Sequence, residues 1–415
     1  MNSMLSALIK KDYSKQDLRA IRDLLESRGA LEFKLLESGL FPAAMVQAET
    51  AYTGYASVWL RDNVHVANAH AVVGETAVAT KVVASLLIFL KKQSARFERI
   101  IRGESNPNNV MDRPHIRFDG NTLSELEETW AHAQNDALGY FLWLYFKLAA
   151  AEHIRPTADD LKFMTVLPRY FKALPYWADE DSGHWEETRK IEASSIGAVI
   201  AGLRQMREYW KAHSISDSAV SVAMLDELIA AGTEELNRIL PCECIQPGKE
   251  RACDGALLFL IYPLELVDGS MADTILQRTK EHLQGEHGIR RYLGDSFWFP
   301  NYKSIPEKLR TADYSNDVSG RDAMLPKGQE AQWCIFDSIV STIYGRRYAA
   351  TGQKADLELQ TAYFNRALSQ VTESFQCPEL YYLEQGKYVH NDATPLLWTQ
   401  ANLMTAMWVI EQNVK

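Results

Sequence analysis

Residues 134–148 read Gln-Asn-Asp-Ala-Leu-Gly-Tyr-Phe-Leu-Trp-Leu-Tyr-Phe-Lys-Leu, and this stretch decides the fold class. Leu138, Phe141, Leu142, Tyr145 and Leu148 recur at steps of three and four, the period of one helix face. Asn135 or Asp136 is placed to cap the first turn. Upstream, Val78, Val82, Leu86 and Leu90 step by four, and Lys91 and Lys92 then suit the negative end of the helix dipole. Leu18, Ile21, Leu24 and Leu25 mark the first helix, with Ser14 as N-cap and Gly29 as stop. The same periodicity predicts helices at 193–210, 218–239, 272–283, 330–350, 356–375 and 396–411. Alternating strands are scarce, and no glycine-rich phosphate loop of the dinucleotide or Walker type is present, so nucleotide chemistry is not expected. Helices in such a series must each bury a stripe, in a bundle, a solenoid or a closed helical barrel. No fixed repeat period marks a solenoid. The fold class is all-α.

A length of 415 residues alone would suggest two or three domains. No composition break resembles a linker, so one domain is expected over 1–415, with residues 1–40 forming peripheral N-terminal helices. Lys and Arg number 44 against 54 Asp and Glu, a net charge of −10, which argues against nucleic acid or an anionic membrane as partner. The longest apolar run, 82–90, is interrupted by Ser85 and falls short of the ~20 residues a membrane span needs. Residues 1–11 lack the pattern of a secretion signal. The five cysteines form an odd set, which favours reduced thiols and a cytoplasmic location. Cys242, Cys244 and Cys253 lack the C-x-x-C spacing and neighbouring His of zinc sites, so no metal is expected.

Ten Trp, 18 Tyr and 15 Phe are the unusual part of the composition. Many sit outside the helical stripes, in long connections at 96–120, 175–192, 240–254, 292–329 and 376–395. Among them are Trp177, Trp185, Phe297, Trp298, Tyr302, Tyr381 and Tyr382. Long loops in a compact domain usually carry function. Large rings placed there point to an aromatic-lined cleft of the kind that binds sugars. Four segments combine such a ring with polar groups: Trp59-Leu60-Arg61-Asp62, Trp130 through Asp136, Trp185-Glu186-Glu187, and Tyr381 through Gln385. Each has a plainer reading, as a helix cap, a solvated charge run or a surface turn. Against that, an Arg/Asp pair offers rigid donors and acceptors to vicinal hydroxyls. A Trp beside a carboxyl supplies apolar surface that can keep the acid protonated at neutral pH. Glu384 follows Glu186 by 198 positions, a spacing that by itself says nothing about proximity.

Read in order, these segments resemble the glucoamylase family of glycoside hydrolases (family 15). They also resemble its relative, the N-terminal domain of the phosphorylase kinase α and β subunits. The resemblance rests on W-x-R-D at 59–62, W-x-x-x-Q-x-D at 130–136, W-E-E at 185–187, Gly288-Ile289-Arg290-Arg291-Tyr292 with Asp295 after it, and Leu383-Glu384-Gln385. The run Ala193-Ser194-Ser195-Ile196-Gly197 also looks like the helix that follows the acid loop in these proteins. The resemblance implies an (α/α)6 barrel, a toroid of six inner and six outer helices that brings residues distant in sequence to one mouth. The small residues of 193–202 suit a tightly packed inner helix.

By that resemblance Glu186 is the general acid and Glu384 the general base of an inverting, exo-acting α-glucan or oligosaccharide hydrolase. Inversion needs the two carboxyls ~6.5–9.5 Å apart, with a water between base and anomeric carbon. Arg61 and Asp62 would grip the terminal glucose, Arg291 and Glu187 the leaving side. Trp59, Trp130 and Trp185 would line the walls, with Gln134, Asp136 and Asp295 completing the substrate-binding set. Acid/base work needs no cofactor. Nothing in the sequence resembles the N-terminal β-sandwich of many prokaryotic members or a starch-binding module, so soluble oligosaccharides or short glucans are expected rather than raw starch. Ala131-His132-Ala133 replaces the usual Gly-Arg/Trp-Pro run, which leaves trehalose and α-1,6-linked glucans open as substrates. The alternative is a non-hydrolytic glucan-binding regulatory protein.

Overall fold

The computed structural model of the protein describes residues 2–306 and 317–414. These are mostly helical. Five long helices are buried along much of their length on nearly every face: Leu60–Val72, Asn135–Ala150, Ala193–Ala212, Ile335–Thr351 and Leu397–Asn413. A helix with apolar or small residues all round belongs inside a protein. A short sixth helix, Leu258–Ile261, joins them. Each packs against the next in chain order, and the last packs back on the first, so the six make a closed ring. Amphipathic helices cover it from outside: Lys15–Ser27, Thr76–Lys92, Val166–Ala173, Val222–Ile239, Gly269–Arg278 and Lys354–Ser369. The first of these buries Leu18, Ile21 and Leu25 in a second, smaller core with Leu403, Met407 and Ile410.

The closest approach in the ring is made by the glycines of two inner helices. A Cβ on Gly139 would lie 2.5–2.7 Å from the backbone of Ala198 and Val199, and one on Gly202 would lie 2.6 Å from the Gly139 carbonyl oxygen. The helices meet backbone to backbone, so neither side can yield by a rotamer change. Gly139→Ala is therefore expected to destabilise the protein by about 1–3 kcal/mol despite its better helix propensity. Thermal or denaturant unfolding of the variant checks this, and an unchanged midpoint would contradict the close packing.

Strands appear where the sequence reading has helix or loop. β1 (Val58–Trp59), β2 (Arg117–Asp119) and β3 (Ser124–Glu125) form one antiparallel sheet, and β4 (Gln332–Trp333), β5 (Leu380–Glu384) and β6 (Lys387–His390) form another. The helix predicted from 330 starts instead at Ile335, because Gln332 and Trp333 pair with Tyr381 and Leu380. The connection at 376–395 contains a hairpin, closed by Gln385 and Gly386, both with positive φ (49° and 79°), as a two-residue turn of right-handed strand twist requires. β1 runs directly into the 60–72 helix, and one residue separates β4 from the 335–351 helix, so both sheets lie at the N-terminal ends of inner helices. The five cysteines are free thiols. Among the described residues no helix is long and apolar enough to cross a membrane.

Candidate active site

The side chains of interest gather at those N-terminal helix ends. Arg61, in the first turn of the 60–72 helix, is buried and organises the first wall. Its Nη1 donates to Asp136 Oδ2 (2.7 Å), Gln134 Oε1 (3.1 Å) and the Gly183 carbonyl (3.2 Å), and its Nη2 lies 3.5 Å from Glu186 Oε1. The chain reaches Glu186 through a tight turn. Gly183 takes φ +53° beside Glu192, where a Cβ would collide, and Glu186 itself has φ +58°, uncommon for a residue with a side chain. Strain of this kind persists where surrounding contacts over-determine it. Here Trp130 Nε1 donates to Glu186 Oε2 (3.0 Å) and Gln134 Nε2 to Oε1 (3.1 Å). Burial raises the Glu186 carboxyl above its ordinary range, against the opposing pull of Arg61 and of these donors. Asp62, beside it, is pushed by burial up to about 7, although Arg61 opposes this.

A second wall is built on Glu187. It is buried and accepts from Arg291 Nη2 (3.2 Å), Arg251 Nη2 (3.1 Å) and the Tyr292 hydroxyl. Burial alone would raise its carboxyl, but Arg291, Arg251, Lys190 and Arg321 outweigh it and bring it down to about 2. Asp295, fully buried, grips Arg291 in bidentate fashion at 2.7 and 2.5 Å. Trp185 packs near Trp333 (5.9 Å), donates to Asp254 and lies 5.1 Å from the Arg291 guanidinium.

The third wall departs from the sequence expectation. Glu384 ends β5 beside the hairpin turn, half-buried, accepts from the Asn301 amide (3.1 Å) and does not line the cavity. Glu379, immediately before β5, does line it. Glu384 lies five positions after Glu379, an odd step that turns the two to opposite faces, about 16 Å apart along the chain. Glu379 is 2% exposed and accepts from the Tyr55 hydroxyl (2.6 Å) and Asn391 Nδ2 (2.5 Å). Burial pushes its carboxyl up to about 7, against those two donors.

The walls enclose a cavity with about 840 Å3 of empty space, open solvent at its mouth included. Of the residues singled out in the sequence, Trp59, Arg61, Asp62, Trp130, Trp185, Glu186 and Arg291 line it. Gln134, Asp136, Glu187 and Asp295 stand behind them as hydrogen-bond partners. Phe297, one of the loop rings expected at an aromatic cleft, lines it as well, whereas sequence reasoning misses Tyr55, His184, Arg321, Trp333, Glu379 and Trp398. His184 is held neutral, lowered by burial to about 3, between the Tyr140 hydroxyl and Ser194 Oγ. The set offers three carboxyls (Asp62, Glu186 and Glu379), aromatic faces and clamped guanidiniums, and so suits acid/base chemistry on a polyhydroxylated ligand.

The model for glycosyl hydrolases family 15 matches residues 30–338. The chain belongs to this family. It is also similar, at 29% identity over 199 residues (42% of this chain and 74% of the other), to the uncharacterized lipoprotein YgeQ of Escherichia coli (strain K12). Among solved structures, a wild-type glycosidase superposes with a TM-score of 0.66 at 18% identity, covering 97% of this chain and 100% of its own. A glucoamylase from Saccharomycopsis fibuligera superposes at 0.59 and 14% identity, with 97% of each chain covered. At these identities the likeness is one of fold.

In this family 15 chain the Glu187 cluster makes a stability prediction. Glu187→Gln removes the charge that compensates Arg291 and Arg251, and breaking a buried pair this way costs about 3–5 kcal/mol. The depressed carboxyl also contributes stability that is present above the unfolded value and lost as pH falls towards about 2. Denaturant unfolding at neutral pH and at pH ~3 should show the variant's deficit shrinking in acid. A constant deficit would mean that shape, not charge, is what Glu187 contributes.

Proposed function

We propose that the protein is an inverting, exo-acting hydrolase of α-glucans or gluco-oligosaccharides, with Glu186 as general acid and Glu379 as general base. The observation that carries this is the convergence of these two carboxyls, 193 positions apart in sequence, on one cavity. Glu186 would protonate the departing glycosidic oxygen, while Glu379 takes a proton from a water attacking the opposite face of the ring. Arg61 and Asp62 would hold hydroxyls of the terminal glucose. Arg291, fixed by Asp295 and Glu187, would meet the sugar on the leaving side, and Trp59, Trp130 and Trp185 would supply apolar faces. The closed ring of helices is read as an (α/α)6 barrel making one domain, with residues 1–40 on its periphery. A glycosidase of similar fold solved in complex with glucose, and a bacterial glucoamylase solved with acarbose, support a sugar ligand.

The test is product analysis on maltose, isomaltose, trehalose and maltodextrins, following the anomer first released. β-Glucose is expected. α-Glucose as the first product would refute inversion, and saturable binding without product would favour the glucan-binding regulatory reading. The pH profile gives a second check. The optimum of a two-carboxyl mechanism lies midway between the two apparent values. Burial raises both carboxyls, Glu379 to about 7, so both limbs of the bell-shaped profile should lie above those of ordinary glutamates. The optimum is expected on the neutral side, clearly above the ordinary glutamate value of ~4.3; an optimum at or below that value would contradict the burial of both groups.

A further inference from the structure

Arg117, on β2, has no part in the chemistry above, yet it sits against the wall that holds the acid. Its guanidinium lies 4.2 Å from the Trp130 ring centroid and 5.1 Å from that of Trp59, and the two indoles meet edge to face at 5.9 Å. Nη1 donates to Glu128 Oε2 (2.6 Å), on the segment that carries Trp130. On the remaining side is Gly54, at φ +75°, where a Cβ would come within 2.9 Å of Nη2. The side chain is 4% exposed. A planar guanidinium can stack on an indole and bind a carboxylate in the same pose, which an ammonium cannot.

We propose that Arg117 is a positioning residue for Glu186: it clamps the Trp130 indole so that its Nε1–H stays on the carboxylate. Trp130 donates to Glu186 Oε2 at 3.0 Å, and an indole free to tilt would lose that bond. Both the bond and the nearby positive charge favour the ionised carboxylate, and Arg117 is among the cations that offset burial at Glu186. The other charged or titratable groups facing Glu186 are Arg61 and Asp62 from the 60–72 helix and the Tyr55 hydroxyl. Arg61 reaches Glu186 directly, and Arg117 reaches it through Trp130. As a device for tuning the acid, this rests on the hydrolase reading.

The experiment follows the Trp130 indole N–H by 1H–15N correlation spectroscopy as pH is varied, with Trp130→Phe assigning the signal. In the native protein the signal should titrate with Glu186, and Glu186→Gln should abolish the titration. Arg117→Met is expected to raise the midpoint by about half a unit to one unit, with Arg117→Lys intermediate because it keeps charge but not the planar stack. The optimum of kcat/KM should move up in the same order, with kcat falling more than KM changes. Trp130→Phe should shift that optimum as well, and combining it with Arg117→Met should add little. An unmoved midpoint in both Arg117 variants, or shifts that simply add, would overturn the proposal. Absence of hydrolysis in the native protein would instead count against the hydrolase reading, because the indole titration does not depend on turnover.

Discussion

Glu379→Gln is expected to lower turnover by about 10²–10⁴-fold, the usual contribution of a positioned base, while Glu384→Gln leaves it within a factor of about two. The amide keeps the size of the carboxylate and can still accept from Tyr55, so the loss reports the missing base rather than a collapsed wall. Among the described residues Glu384 is tied only to the Asn301 amide beside an exposed turn, where a neutral side chain accepts equally well. Initial rates of glucose release from maltodextrin, with matched unfolding midpoints, decide between them. If Glu384→Gln abolished activity and Glu379→Gln did not, the site as described would be wrong, whatever the family.

Glu186→Gln should cost a similar 10²–10⁴-fold on maltose, but far less on α-glucosyl fluoride. Fluoride departs without a proton, so a substrate bearing it bypasses the acid while still needing the water activated on the other face. Glu379→Gln should be impaired on both. The contrast separates the two roles without reference to pH. Equal losses on both substrates for Glu186→Gln would show that it does not act as the acid.

Most helices were legible because each long element repeats its apolar residues at helical steps, as in Val78–Leu90 and Leu138–Leu148. The small residues of 193–202 likewise announced a crowded helix, and Gly202 meets the Gly139 carbonyl as such crowding demands. Trp59, Arg61, Asp62, Trp130, Trp185, Glu186 and Arg291 were legible because they fall in short motifs that set an aromatic ring beside charged or polar groups. Glu379 was not. Which residues of 379–384 face inward is set by pairing of β5 with Gln332–Trp333, nearly fifty positions away, and a strand's facing reverses with each residue. The Leu383-Glu384-Gln385 motif gave the stronger local signal, but its carboxyl does not reach the cavity. Tyr55, Trp333 and Trp398 each look like ordinary core or loop aromatics, and only ring closure gathers them around one cavity.

That closure also orders the protein's assembly in time. Leu60–Val72, near the start of the ring, finds its final neighbour only in Leu397–Asn413, and Glu379, Leu396 and Trp398 follow every other lining residue in the chain. A ribosome therefore delivers the acid, its tryptophans and its arginines long before the group meant to activate water. Until then the half-made polypeptide can hold no competent pocket, so catalysis switches on as the last hairpin and helix dock.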